Sequence, residues 1–142
     1  MKRVIWFLLA MLLPLLLLVI SCCGHVAPEL TFHSLSGSCA AVEESTANIS
    51  LEDGKVLFSG SVSTPTPCYD LEAEVELLTS SNTSYPRVII VNITARERQG
   101  ECIQCIGEIP FSGEIGLLDT GEYDILILYE GSTIGQQMIE VE

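Results

Sequence analysis

Between Tyr69 and Leu78 apolar and acidic residues alternate, and this period of two constrains the fold more than any other feature of the sequence. One face of the segment is apolar (Leu71, Ala73, Val75, Leu77) and the other carries carboxylates (Asp70, Glu72, Glu74, Glu76). Such alternation is typical of a β-strand with one face in a core and the other in water. We therefore expect the acids to face solvent, partly matched by Arg96 and Arg98 on a neighbouring strand.

Similar segments recur along the chain at spacings of about 8–12 residues, which is typical of an all-β protein. No stretch after residue 24 shows helical periodicity over two turns. Asp53-Gly54 is a strong hairpin signal, and Gly131-Ser132 is expected to close the last hairpin. The sequence predicts an antiparallel β-sandwich of about 7–8 strands, drawn from Asn48–Leu51, Lys55–Ser63, Tyr69–Leu78, Arg87–Arg98, Cys102–Glu108, Phe111–Leu118, Glu122–Glu130 and Thr133–Val141.

The N-terminus has the composition of a secretory leader. Lys2 and Arg3 precede an apolar run from Val4 to Ile20, and the chain turns polar and acidic after Ser21, Cys22 and Cys23. Val19-Ile20-Ser21-Cys22 resembles a prokaryotic lipobox, in which Cys22 becomes the lipidated first residue of the mature protein; Ile20 departs from the commoner Ala or Ser. We expect a signal peptide over residues 1–21, a lipidated tether over 22–45 and a sandwich domain over 46–142.

A single uncleaved transmembrane helix is the alternative, because the run of 17 residues is at the lower limit of the roughly 17–25 that span a bilayer. Either anchor predicts a protein of the cell membrane whose domain faces the extracytoplasmic side. The bilayer is then one partner, reached through the N-terminus.

The charge of the mature part excludes nucleic acid as a partner. All 19 carboxylates follow Cys22, and only four cationic residues do, so residues 22–142 carry a formal charge of −15. A surface of this sign repels phosphate backbones.

Four cysteines lie beyond the anchor region: Cys39, Cys68, Cys102 and Cys105. Outside the cytoplasm they predict two disulfides, with three formal connectivities. A separation of three puts Cys102 and Cys105 on opposite faces of a strand, so they should bond different partners. We favour Cys68–Cys102 and Cys39–Cys105. A zinc site would need a second close pair or a nearby histidine. A redox motif would need its first cysteine at a helix N-terminus, whereas the isoleucines that follow Cys102 indicate strand and loop.

The segment Leu118-Asp119-Thr120-Gly121-Glu122-Tyr123-Asp124-Ile125 resembles the D-x-G-x-Y-x-C signature of immunoglobulin-like domains. The resemblance implies a structural corner built by Asp119, Gly121 and Tyr123, with the tyrosine hydroxyl bonded to upstream backbone, near Leu117–Thr120. Ile125 replaces the cysteine of that signature. The core tryptophan is also missing, because the one tryptophan is Trp6 in the leader.

No catalytic or metal-binding motif is evident. The two histidines, His25 and His33, fall in the expected tether, so the domain has no base for an ordinary serine or cysteine hydrolase. We expect no enzyme, no cofactor and no metal. The sequence favours a small lipoprotein acting as a non-catalytic binding module for an envelope protein or extracellular ligand.

The alternative function is a tethered protease inhibitor of the immunoglobulin-like chagasin type. Its binding loops would be Thr64–Cys68, Ser80–Pro86 and Gln99–Glu101, gathered at one end of the sandwich.

Overall fold

The computed structural model describes residues 28–39, 44–78 and 85–142, so the leader, Cys22 and Cys23 lie outside the described residues. The described part is all-β, and it contains no helix long and apolar enough to cross a membrane. Its nine strands are β1 (Leu30–Ser34), β2 (Ser38–Cys39), β3 (Thr46–Glu52), β4 (Lys55–Thr64), β5 (Tyr69–Leu78), β6 (Arg87–Glu97), β7 (Gly107–Ile115), β8 (Gly121–Tyr129) and β9 (Ser132–Val141).

The strands form two sheets. Sheet A has the order β1-β7-β4-β3, with β2 also paired to β7, and sheet B has the order β5-β6-β8-β9. Across the two sheets β3 lies beside β9, and β1 lies beside β5. Among the described strands the pairings are antiparallel, as expected, except that β6 runs parallel to β8. The expectation of a fully antiparallel sandwich is therefore wrong at this one pairing.

The core lies between the sheets, on the faces that alternation predicts. In sheet B the inward side chains of β5, β6 and β8 are buried or packed on the core. In sheet A a Cβ at Gly113 would strike the ring of Phe58, and one at Gly60 would strike the backbone carbonyl of Thr46 and the ring of Phe111. Phe32, on β1, completes this cluster, with ring centroids 6.4 Å from Phe58 and 6.0 Å from Phe111.

The sandwich begins earlier than the sequence predicts. Strands β1 and β2 fall within residues 22–45, where a tether is expected, and both pair with β7. Leu30 and Phe32 pack on the core, and Cys39 is disulfide-bonded. The boundary between tether and domain therefore lies before Leu30, and His33 belongs to a strand.

Two other boundaries also differ from expectation. The expected strands 102–108 and 111–118 are one strand, β7, which starts at Gly107. The last hairpin turns at Glu130 and Gly131 rather than at Gly131-Ser132, and both residues have positive φ. The Asp53-Gly54 turn is where the sequence predicts it, again with positive φ at both positions (50° and 74°), as a two-residue hairpin of this type requires.

Candidate functional site

The segment between β6 and β7, residues 98–106, is cross-linked to both sheets, and we call it the stapled loop. Cys102 is bonded to Cys68, which directly precedes β5 of sheet B, and Cys105 is bonded to Cys39, at the end of β2 in sheet A. The Cα atoms of the two pairs are 6.0 and 5.7 Å apart. This is the connectivity that the sequence favours, although Cys102 and Cys105 lie in a loop and not on opposite faces of a strand.

The stapled loop presents an apolar residue between its two disulfides. Ile103 is 70% exposed and Ile106 is 42% exposed. The backbone is fixed locally, because the amide of Cys105 donates to the carbonyl of Ile103 at 3.1 Å and that of Arg98 donates to Cys68 at 2.8 Å. An exposed isoleucine on a doubly cross-linked loop loses little conformational freedom on binding, which favours recognition.

The opposite end of the sandwich contains the corner predicted from the D-x-G-x-Y segment. The Tyr123 hydroxyl donates to the backbone carbonyl of Asp119 at 2.9 Å, and the residue is 2% exposed. Gly121 has a φ of 145°, and a Cβ there would strike the guanidinium of Arg87. That guanidinium donates to the carbonyl of Thr120 at 2.6 Å and lies 4.5 Å above the Tyr123 ring.

Electrostatics at the corner follow from burial. Desolvation raises the pKa of the Tyr123 hydroxyl, with the nearby Arg87 opposing it. The arrangement holds a neutral phenol that donates its hydrogen bond to backbone.

A cavity of about 560 Å³ opens beside this corner, between Pro28, Leu77 and Leu117. Its two cations already have partners. Lys55 lies 2.6 Å from Glu114, whose hydrogen bond raises the lysine pKa, and Arg87 is held as described above. Because Glu29 and Asp119 also line the cavity, no positive charge is left over to attract an anion.

The acid ladder of β5 faces solvent, as expected. Arg96 lies 3.3 Å from Glu72, and Arg98 lies 3.3 Å from Asp70, so the two expected cations do match part of the ladder. Within the described residues Glu74 and Glu76 have no ion pair. The ladder is a charged border of the outer face of sheet B, and the described residues contain no group of three side chains able to hold a metal ion.

The centre of that outer face is apolar, which the sequence analysis missed. Four half-buried side chains of β6 and β8 lie there (Val88, Ile90, Leu126, Leu128), with Leu78 and Met138 at its margin, 45% and 62% exposed. We call these six residues the outer strip. The signal was present in the chain, because Val88–Val91 and Ile125–Leu128 are continuous apolar runs without alternation.

The loops expected to act together in an inhibitor do not share one end. Thr64–Cys68 and Gln99–Glu101 lie at the stapled end. The segment Ser80–Pro86 connects β5 to β6 at the corner end, and its residues 80–84 lie outside the described part. The described residues therefore bring two of the three expected loops together, at the stapled end. No protein family, curated protein or solved structure matches this chain.

Proposed function

We propose that this protein is a membrane-anchored, extracytoplasmic binding module that recognises its partner with the stapled loop. The observation that carries the proposal is Ile103, which is 70% exposed between two disulfides reaching to different sheets. The disulfides on either side of Ile103 fix its backbone, so the apolar side chain is presented on a rigid segment. The two disulfides fit an oxidising compartment outside the cytoplasm.

The anchor in this proposal is a lipid on Cys22 and the domain an immunoglobulin-like sandwich. The Tyr123–Asp119 hydrogen bond supports the immunoglobulin-like sandwich, while the parallel pairing of β6 with β8 departs from the antiparallel sheets of that fold. The lipid anchor is supported by the leader, which has a charged start, an apolar run and a small residue before a cysteine. Mass spectrometry of membrane-extracted protein should find no residues 1–21 and a lipid-sized mass on Cys22, whereas an intact chain from Met1 would contradict cleavage.

Chain geometry then orients the domain. Strand β1 begins at the corner end, because Leu30 pairs with Ile115. From Cys22 to Pro28 the chain reaches at most about 20 Å. The ten-residue strand β5 is about 30 Å long, so in a domain that stands upright on its tether the stapled loop, at the far end, lies about 30 Å farther from the bilayer than the corner end. In this proposal the loop is presented to another protein and not to lipid.

A photoreactive residue placed in the full-length protein in its own membranes tests this arrangement. At position 103 we expect adducts with protein. At position 117 we expect adducts with lipid, because Leu117 is equally open (76% exposed) but lies at the corner end. Lipid adducts at position 103, or identical protein adducts at both positions, would contradict the proposal.

Protease inhibition is the second candidate, and the same loop favours it, since a rigid exposed segment resists cleavage when a protease binds it. We expect a susceptible protease to be inhibited by the wild-type protein and by Leu117→Asp but not by Ile103→Asp. If a broad panel of proteases is unaffected by the wild-type protein, the candidate is excluded and the binding module remains.

A further inference from the structure

Strands β6 and β8 are apolar on both faces, although only the inner face is covered, by the core. Ile89, Val91 and Ile127 are buried in the core, while Ile90 and Leu126 lie on the outer face. Parallel-paired strands with continuous apolar runs normally have both faces covered. A sheet that faces water on one side normally has polar residues there, as the outer face of sheet A does with Ser59, Ser61 and Ser112.

The outer strip is continuous across two strand pairings, β5–β6 and β6–β8, and Met138 of β9 lies at its margin beside Asp124. Leu78 pairs with Val88, and Ile90 pairs with Leu126. Met138 pairs with Asp124 on the far side. An apolar area of this kind, surrounded by polar residues, marks an interaction surface.

The border of the strip is acidic on both sides. Glu74 and Glu76 lie along β5, and Glu122, Asp124 and Glu140 lie along β8 and β9. On this face Arg96 and Arg98 are already paired with Glu72 and Asp70. The border therefore has a surplus of negative charge, which attracts cationic groups and repels a second copy of the protein, whose residues 22–142 carry a formal charge of −15.

We propose that the outer strip is a second docking surface, independent of the stapled loop, and that its occupant is a protein surface with an apolar centre and a lysine- or arginine-rich rim. The apolar centre covers Ile90 and Leu126, and the cationic rim meets Glu74 and Glu76. Charge steers the encounter, and burial of the strip provides specificity.

The test uses full-length protein in phosphatidylcholine nanodiscs, with empty discs as the blank. The probes are two labelled amphipathic peptides with the same apolar residues, one with lysines and one with glutamates at the rim. We expect the lysine-rimmed peptide alone to bind, measured by fluorescence anisotropy, and its affinity to fall as NaCl is raised.

Charge-neutral variants separate the strip from general attraction to an acidic protein. Ile90→Thr combined with Leu126→Thr should weaken binding by about tenfold or more. Leu57→Thr, a charge-neutral change on the outer face of sheet A, should not alter it, and Ile103→Thr in the stapled loop should leave it intact. In the wild-type protein a photoreactive version of the peptide should attach to β6 or β8, a readout that does not depend on any variant folding.

Three results would overturn the proposal. One is equal binding by the wild-type and strip variants, which would indicate non-specific charge attraction. Another is the absence of selectivity, in which the lysine-rimmed and glutamate-rimmed peptides bind equally well or neither of them binds. The third is sedimentation of the protein as a dimer that Ile90→Thr dissociates, which would make the occupant a second copy.

Discussion

At the scale of single residues, the side chain of Tyr123 links the β7–β8 connection, at Asp119, to the core. Its ring is buried among the inward residues of sheet B, and its hydroxyl donates to Asp119 at 2.9 Å. Tyr123→Phe keeps the ring and leaves that carbonyl unpaired, so we expect the free energy of unfolding to fall by about 1 kcal/mol. Urea denaturation measures it. Tyr85→Phe, at a residue that is 66% exposed, is the control and should be neutral; if both changes are neutral, the corner does not stabilise the fold.

The same residue predicts how stability depends on pH. Burial raises the pKa of Tyr123 and of Tyr129 above the ordinary value of 10.0. Below that value both the folded and the unfolded chain hold the phenolic protons. Above it the unfolded chain loses its protons first, so stability falls as pH rises through the folded-state pKa.

We therefore expect the unfolding free energy to decrease above about pH 10, and to decrease less steeply in Tyr123→Phe. The decrease should not vanish in that variant, because Tyr129 remains. Lys55, whose pKa is raised by Glu114, also loses its ion pair in this range. Denaturant titrations at a series of alkaline pH values measure the slopes, and identical slopes in the two proteins would contradict the assignment.

At the scale of strands, alternation predicts well wherever one face is buried and the other is wet. It places β5 at its observed ends, and it identifies the core faces of β6 and β8. It fails at residues 102–106, where isoleucines indicate a strand but two disulfides hold a loop. The pairing of β6 with β8 could not be predicted, because strand order is decided by contacts distant in sequence.

Strands β1 and β2 were missed for a related reason. Leu30–Ser34 and Ser38–Cys39 are short, and no turn signal of the Asn-Gly kind marks them. What makes Leu30–Ser34 a strand is its pairing with β7 and the packing of Phe32 on Phe58 and Phe111. The candidate site was predicted in part: the disulfide pairing was favoured from the sequence, but the exposure of Ile103 depends on where the loop lies.

Truncation tests where the folded domain begins, before Leu30 as in the structure or at residue 46 as the sequence predicts. A chain of residues 28–142 should fold cooperatively with two disulfides. A chain of residues 46–142 should not, since it lacks Cys39 as the partner of Cys105 and leaves the edge of β7 and the Phe58–Phe111 cluster uncovered. Thermal melts followed by circular dichroism, together with a thiol count under denaturing conditions, compare the two chains. Cooperative melting of the shorter chain would restore the boundary at residue 46.

At the scale of the whole molecule, charge works against folding. Residues 22–142 carry a formal charge of −15, and the ion pairs of the described part are Lys55–Glu114, Arg96–Glu72 and Arg98–Asp70. Such exposed pairs contribute little to stability, because water screens them and holding two long side chains in one geometry costs entropy. The repulsion among the unpaired carboxylates acts over the full length of the domain when the Debye length is about 30 Å, as at 0.01 M salt.

We therefore expect the melting temperature to rise as monovalent salt increases from low to physiological concentration, where the Debye length shrinks to about 8 Å. Replacing Glu74 and Glu76 together by glutamine removes two unpaired charges from the exposed ladder, so this variant should melt higher at low salt and respond less to added salt. Calorimetry across a salt series measures both effects. A melting temperature that falls with salt would mean that the ion pairs, and not the repulsion, dominate the electrostatics of the folded domain.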